Sequence, residues 1–199
     1  MKSLFTKISL GILTLATAAT VSAQKIDTKA KTLLDGVANT YKSKKNVYFK
    51  FVYGTGQGKT VTKTEPGIFY SAGDRYKMKI MGTEQIFDGN KIYNISEEDQ
   101  EVTIAKPNGN EQMFSPLNYI EEYKKGYNVR YIGKKLVNGV NADQIKLIPT
   151  TNNGIKEVNL FVNPARKQLV KLEQFSKDNS VSVIAISNYK ENQTLNNSM

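Results

Sequence analysis

Arg75-Tyr76-Lys77-Met78-Lys79-Ile80 alternates without interruption, with Tyr76, Met78 and Ile80 on one side and basic residues on the other. A period of two marks a β-strand in a sheet that is apolar on one face and wet on the other. The same period runs upstream through Val47-Tyr48-Phe49-Lys50-Phe51-Val52-Tyr53, where Val47, Phe49, Phe51 and Tyr53 share a side. It returns downstream in Glu101-Val102-Thr103-Ile104. Tight-turn signals separate these segments: Asp88-Gly89-Asn90, Asn138-Gly139, Asn152-Asn153-Gly154, Asn163-Pro164 and Lys177-Asp178-Asn179. Short strands joined in this way make a meander of roughly ten strands, hence a sandwich or a barrel. With no internal repeat or linker, one domain over residues 24–190 is expected.

Two helices interrupt the strands. Ala30, Leu33, Leu34, Val37 and Tyr41 recur at spacings of three and four and form one apolar stripe. Ser115-Pro116 opens a second helix, with Ser as N-cap and Pro at the first helical position. Glu121 and Glu122, then Lys124, Lys125 and Gly126, follow in the order that a helix dipole and a C-terminal cap favour. Leu117, Ile120 and Tyr123 give it an apolar face, to which Met113 or Phe114 can add. A long meander with helices at two points suggests a curved sheet with helices across its opening.

The start of the chain has the build of an export signal. Lys2 and Lys7 precede a short apolar run from Ile8 to Ala19, and Val21-Ser22-Ala23 is a small-residue cleavage site. The mature chain is expected to begin at Gln24, to be soluble, and to reside in the periplasm. The apolar run is shorter than the ~20 residues a membrane span needs. Net charge is +10, and the lysines are scattered along alternating strands. The short clusters at Lys42–Lys45, Lys124-Lys125 and Lys134-Lys135 read as solvated edges and helix ends. Residues 191–199 are a polar tail expected to fray.

What the chain lacks narrows its chemistry. There is no histidine and no cysteine. Disulfides, thiol catalysis, a lipidated cysteine and the Ser-His-Asp arrangement are therefore excluded, and zinc would have to rest on carboxylates alone. Glu97-Glu98-Asp99 is the densest acidic cluster and lies between two strand-like segments, where a solvated turn explains it. Gly54-Thr55-Gly56-Gln57-Gly58-Lys59-Thr60 lacks phosphate-loop spacing and a following helix, and fits a glycine-rich hairpin. Tyr48, Tyr70, Tyr76 and Tyr93 alternate with lysines as base-stacking platforms can, but most aromatics fall on the apolar side, and an exported protein has little access to nucleic acid. A non-enzymatic protein without cofactor or metal is expected.

Particular segments resemble the bacterial outer-membrane lipoprotein carrier family, LolA, in its Bacteroidetes form. Ala30-Lys31-Thr32-Leu33-Leu34-Asp35 with Tyr41 is similar to its first helix, and Val47–Tyr53 to its first aromatic strand. Gly67-Ile68-Phe69-Tyr70 and Asp74-Arg75-Tyr76-Lys77-Met78 resemble its glycine–aromatic strand and the next one. Gln85-Ile86-Phe87-Asp88-Gly89-Asn90-Lys91-Ile92-Tyr93 is similar to its Asp-Gly hairpin, and Ser115-Pro116 through Gly126-Tyr127 to its middle helix. Leu147-Ile148-Pro149 and Leu160–Leu172 resemble its later strands. No one segment is specific; the ordered set carries the likeness. Two features depart from it. Gly73 falls where some members have a lid-holding arginine, with Arg75 two residues later, so that role is not carried over. The family pattern also continues with a further short strand and a basic end, which leaves the last edge of the barrel undefined here.

The resemblance implies a mostly β (α+β) fold: an open, incomplete antiparallel β-barrel whose opening is covered by helices, with an apolar cavity for acyl chains. It implies a monomeric carrier that takes acylated lipoproteins from an inner-membrane ATP-driven (ABC) release complex and delivers them to the outer membrane, through an acceptor there if one exists. The candidate lining is Val47, Phe49, Phe51, Tyr76, Met78, Ile80, Val102, Ile104, Leu117 and Ile120, with Met78, Met81 and Met113 as adaptable wall residues. The same residues would serve equally to fill a dry core. Two other functions are compatible with such a chain: a periplasmic lipid-binding or envelope-stress sensor module on the same fold, and a hydrolase on a β scaffold, which the missing histidine disfavours.

Overall fold

The computed structural model describes residues 24–106, 119–120 and 123–194. The export signal expected at 1–23, the second-helix start expected at Ser115-Pro116, and Met113, Phe114, Leu117, Glu121 and Glu122 lie outside the described residues.

Asp27 starts the first helix, α1 (Thr28–Ser43), because its carboxylate accepts hydrogen bonds from the backbone N–H groups of Lys29 (2.8 Å) and Ala30 (3.1 Å). The expected stripe is buried at Ala30, Leu34 and Val37. Among the described residues eleven strands follow. The first six are β1 (Val47–Gln57), β2 (Thr60–Ala72), β3 (Arg75–Ile80), β4 (Thr83–Phe87), β5 (Ile92–Ser96) and β6 (Glu101–Ala105). The last five are β7 (Tyr127–Val137), β8 (Val140–Pro149), β9 (Ile155–Asn163), β10 (Gln168–Ser176) and β11 (Ser180–Glu191). Every turn named above joins two of them, and the glycine-rich segment is the β1–β2 hairpin, with Gly58 at φ +63° in its tip.

All eleven strands lie in one sheet, in the order β6-β5-β4-β3-β2-β1-β11-β10-β9-β8-β7. Two meanders, β1–β6 and β7–β11, are joined where β1 pairs antiparallel with β11. The sheet therefore remains open, with β6 and β7 as its edges, and the chain from 106 to 126 leads from one edge to the other. The final strand is central. In place of the undefined last edge expected from the sequence, β11 pairs with β1 along Val47–Gln57 and with β10 over Lys171–Phe175. The tail is also tied down further than expected: Asn192 N–H donates to Asn46 O (2.9 Å), and Gln193 N–H donates to Asn46 Oδ1 (2.8 Å). At the β7 edge, Asp27 N–H and Val129 O (3.0 Å), and Val129 N–H and Lys25 O (2.8 Å), bind the segment before α1 as a short parallel partner.

Successive turns fall at alternate ends. The upper end carries the β1–β2, β3–β4, β5–β6, β8–β9 and β10–β11 turns, and the lower end the others. Helix α1 packs against β7 and β10 on one face of the sheet, called here the inner face. There Ala30, Leu34 and Val37 join Val129, Ile145, Leu147, Leu160 and Leu172 in the main core. A small second cluster of Val137, Ala142, Phe161 and Val170 forms on the outer face.

Candidate functional site

Antiparallel register decides what each side chain meets. Phe51 lies opposite Gly67, Gly67 opposite Ile80, and Ile80 opposite Thr83, which makes one lateral row across β1–β4 on the inner face. The next row is Phe49, Phe69 and Met78. On the other side of β1, Tyr53 faces Ile184 of β11. Between these side chains is a hollow of about 330 Å³. Phe51, Tyr53 and Ile184 form its central wall, and Met78, Ile80, Met81 and Thr83 its outer wall. Met81 stands in the β3–β4 turn, 64% exposed, so the hollow opens at the upper end.

Helix α1 fills the β7–β10 half of the inner face, and the hollow belongs to the other half. A row of stacked rings lies across β11, β1, β2 and β3 on the lower side of the hollow. Phe49 lies 4.9 Å from Phe69 and 6.4 Å from Tyr189 between centroids, and Phe69 lies 6.0 Å from Tyr76. Beyond Met78 the face becomes polar: Tyr76 Oη donates to Gln85 Oε1 (2.8 Å), and Gln85 Nε2 donates to Asn94 Oδ1 (2.8 Å). Gln85 is buried, and its two bonds satisfy what would otherwise be a costly inward amide. Burial holds the Tyr76 phenol above its usual range.

Asp35 of α1 ties the helix to the end of the segment that joins the sheet edges. Its carboxylate accepts from Lys124 Nζ (2.7 Å), Lys31 Nζ (2.5 Å) and Tyr123 Oη (2.8 Å). Burial disfavours ionisation there, but these three donors outweigh it and hold the carboxyl well below the usual carboxylate range. Burial and the same carboxylate push the Tyr123 phenol up. Tyr123 and Ile120 are fully buried, and Tyr119 and Ile120 have helical backbone.

Of the candidate lining, Phe51, Met78 and Ile80 meet at the hollow. Val47, Phe49 and Ile120 are packed into the core, and Tyr76 is in the polar row. Leu117 lies outside the described residues. Val102 and Ile104 are a correction. β6 pairs with Thr103 opposite Asn94 and Ala105 opposite Ile92, which puts Thr103 and Ala105 inside, and Val102 and Ile104 on the outer face, each 56% exposed. The alternation is as expected but the side is reversed, because register, not period, selects the face. Tyr53, Thr83 and Ile184 also line the hollow, beyond the candidate lining. Ile184 sits in Val181-Ser182-Val183-Ile184-Ala185-Ile186, apolar on both sides, where no alternation marks the inner residue.

The acidic cluster is occupied as a turn: Glu97 pairs with Lys79 (2.5 Å), and Ser96 Oγ donates to Asp99 (2.7 Å). Among the described residues no group of three or more metal-ligating side chains comes together. A larger hollow of about 630 Å³ lies elsewhere, lined mostly by lysines, glutamates and amides. Only the smaller one is apolar enough to take hydrocarbon.

No family model matches the sequence, and no curated protein matches it either. Solved structures do. An uncharacterised conserved protein of Thermus thermophilus superposes with a TM-score of 0.60 at 10% identity, over 84% of this chain and 90% of that one. The Mycobacterium tuberculosis lipoprotein LppX superposes with a TM-score of 0.52 at 9% identity, over 85% and 98%. A LolA superfamily protein of Nitrosomonas europaea is a looser likeness, with a TM-score of 0.43 at 12% identity over 85% and 96%. The fold is thus mostly β, an open antiparallel sheet with a helix on its inner face, as the sequence led one to expect, and it is shared with the Thermus thermophilus protein and LppX.

Proposed function

We propose that this protein is a non-enzymatic periplasmic carrier that shelters acyl chains of lipoproteins in the inner hollow. The observation that carries the reading is an apolar hollow left between Phe51, Ile80, Met81 and Ile184 on a face whose other half is filled by α1. Taking a methylene to be about as large as a water molecule, roughly 30 Å³, 330 Å³ admits on the order of eleven methylenes. At ~0.8 kcal/mol each if buried, that is at most about 9 kcal/mol before the costs of association, and less in a hollow open at one end. Two methionines in the wall suit a tail without fixed shape. The absence of histidine and cysteine supports a binding role over catalysis. On this reading the donor is an inner-membrane ATP-driven release complex and the destination is the outer membrane.

The size of the hollow also favours a second reading. It is small for a lipoprotein with two or three tails, and a single-chain lipid would fit it better, as in a lipid-binding or envelope-sensing module. The test is release of acylated lipoprotein from spheroplasts by the purified protein, wild type against Met81→Glu and Ile80→Glu. Met81 is exposed enough that a charge there leaves folding intact. Wild-type release that both variants lose supports the carrier. Wild-type protein that binds a fluorescent fatty acid yet releases no lipoprotein favours the module. Release undiminished in both folded variants sinks the hollow as the site.

A further inference from the structure

We infer that the lysine-lined groove on the outer face is a docking site for the phosphates of an anionic lipid bilayer, which would bring the mouth of the hollow to the membrane. The groove holds about 630 Å³ and is lined by Lys59, Lys135, Lys146 and Lys156 against Glu157 and Glu173. Both acids are already engaged. Lys146 Nζ lies 2.8 Å from Glu157 Oε2, and Lys171 Nζ lies 2.6 Å from Glu173 Oε1. Among the described residues Lys59, Lys135 and Lys156 have no carboxylate within ion-pair distance, and all three are exposed. The groove therefore presents surplus positive charge.

Its floor is preorganised. Gln144 Nε2 donates to Asn159 Oδ1 (3.2 Å), and Asn159 Nδ2 donates to Glu157 Oε1 (3.4 Å), with Asn159 buried. Amides and paired charges hold the glutamates back from Lys59, Lys135 and Lys156, of which Lys135 lies 5.9 Å over the Phe161 ring. Position supplies the second observation. Lys59 is in the β1–β2 turn, Asn179 and Ser180 are at the β10–β11 turn, and Lys156 is the second residue of β9, all at the upper end, while Lys135, near the end of β7, extends the groove toward the lower end. Met81, at the mouth of the inner hollow, is at that same end. A bilayer engaged by the upper part of the groove would lie beside the end from which a tail enters or leaves. An anionic surface attracts nearby lysines through a field that falls off within a Debye length.

The inference rests on the acyl-binding reading for its purpose, but its charge arrangement stands alone, and the experiment separates the two. Binding of the full chain to vesicles of phosphatidylglycerol and phosphatidylcholine is measured by sedimentation, with pure phosphatidylcholine as reference. The groove triple Lys59→Glu, Lys135→Glu, Lys156→Glu is compared with Lys45→Glu, Lys91→Glu, Arg166→Glu, which removes the same charge from exposed sites at the lower end. Groove docking predicts a loss of about tenfold or more for the first triple and about threefold or less for the second. Fatty-acid uptake should be unchanged in both. Equal loss in the two triples would show diffuse attraction by a basic protein and overturn the inference. So would full vesicle binding by the groove triple, or displacement by inorganic phosphate at matched ionic strength. Loss of fatty-acid uptake in the Met81→Glu variant with vesicle binding retained leaves docking supported and concerns the hollow alone.

Discussion

The ring of Phe51 lies over the backbone of Gly67 on the neighbouring strand, so closely that a Cβ at Gly67 would come within 2.3 Å of Phe51 Cζ. The two are directly opposite in the β1–β2 register. The missing side chain on β2 is what lets an aromatic ring lie across the sheet and form the wall of the hollow.

Gly67→Ala should therefore cost about 1–3 kcal/mol by overpacking, since the ring must leave its place. It should also weaken uptake of a fluorescent fatty acid, because the displaced ring enters the hollow. Adding Phe51→Leu to Gly67→Ala should recover part of both losses. Chemical denaturation and a fluorescence titration measure the two effects.

Asp35→Asn should destabilise the protein by about 2 kcal/mol at pH 7, the scale of hydrogen bonds to a charged group. The sign with pH follows from the depressed carboxyl. Its contribution is fully present above the unfolded value near 3.8 and is lost as pH falls toward the lower folded value. The gap in melting temperature between wild type and Asp35→Asn should thus be constant from pH 7 to about 5 and shrink below about 4. A gap that does not change down to pH 2.5 would mean that the carboxylate is not what secures α1 to Tyr123 and Lys124.

Gln85→Ala should cost about 1–3 kcal/mol, because Tyr76 Oη and Asn94 Oδ1 each lose the partner that burial requires. Tyr76→Phe alone should cost less, since it removes a donor and leaves Gln85 its bond to Asn94. A double-mutant cycle over the pair, read by urea denaturation, gives the coupling.

Val102→Ser and Ile104→Ser should each change stability by about 0.5 kcal/mol or less and leave fatty-acid uptake intact, because both side chains are on the outer face. A substantial loss of uptake in either variant would mean that β6 has its other face turned inward.

These last residues mark the limit of what the sequence discloses. Alternation in Arg75–Ile80 and Glu101–Ala105 reveals strands and two sides, and the turn residues reveal where strands stop. Which side is inner depends on pairing between distant segments, and a short edge strand such as β6 has little core to enforce the apolar choice. Phe51, Met78 and Ile80 were visible as apolar, but whether such residues fill a core or border a void depends on where α1 lies. Gln85 illustrates the converse: a polar letter suggests solvent, and only the row Tyr76–Gln85–Asn94 explains its burial.

The place of β11 has a further consequence. It is the last strand of the sheet to leave the ribosome, yet it is the seam on which both meanders depend. Until Ser180–Glu191 emerges, the two halves have no shared backbone ladder and must wait as separate, partly paired pieces. Contacts so far apart along the chain form slowly. Until that last pairing forms, a chain of this design holds two separately laddered halves, and the rate at which Ser180–Glu191 finds Val47–Gln57 limits how soon the inner face is complete.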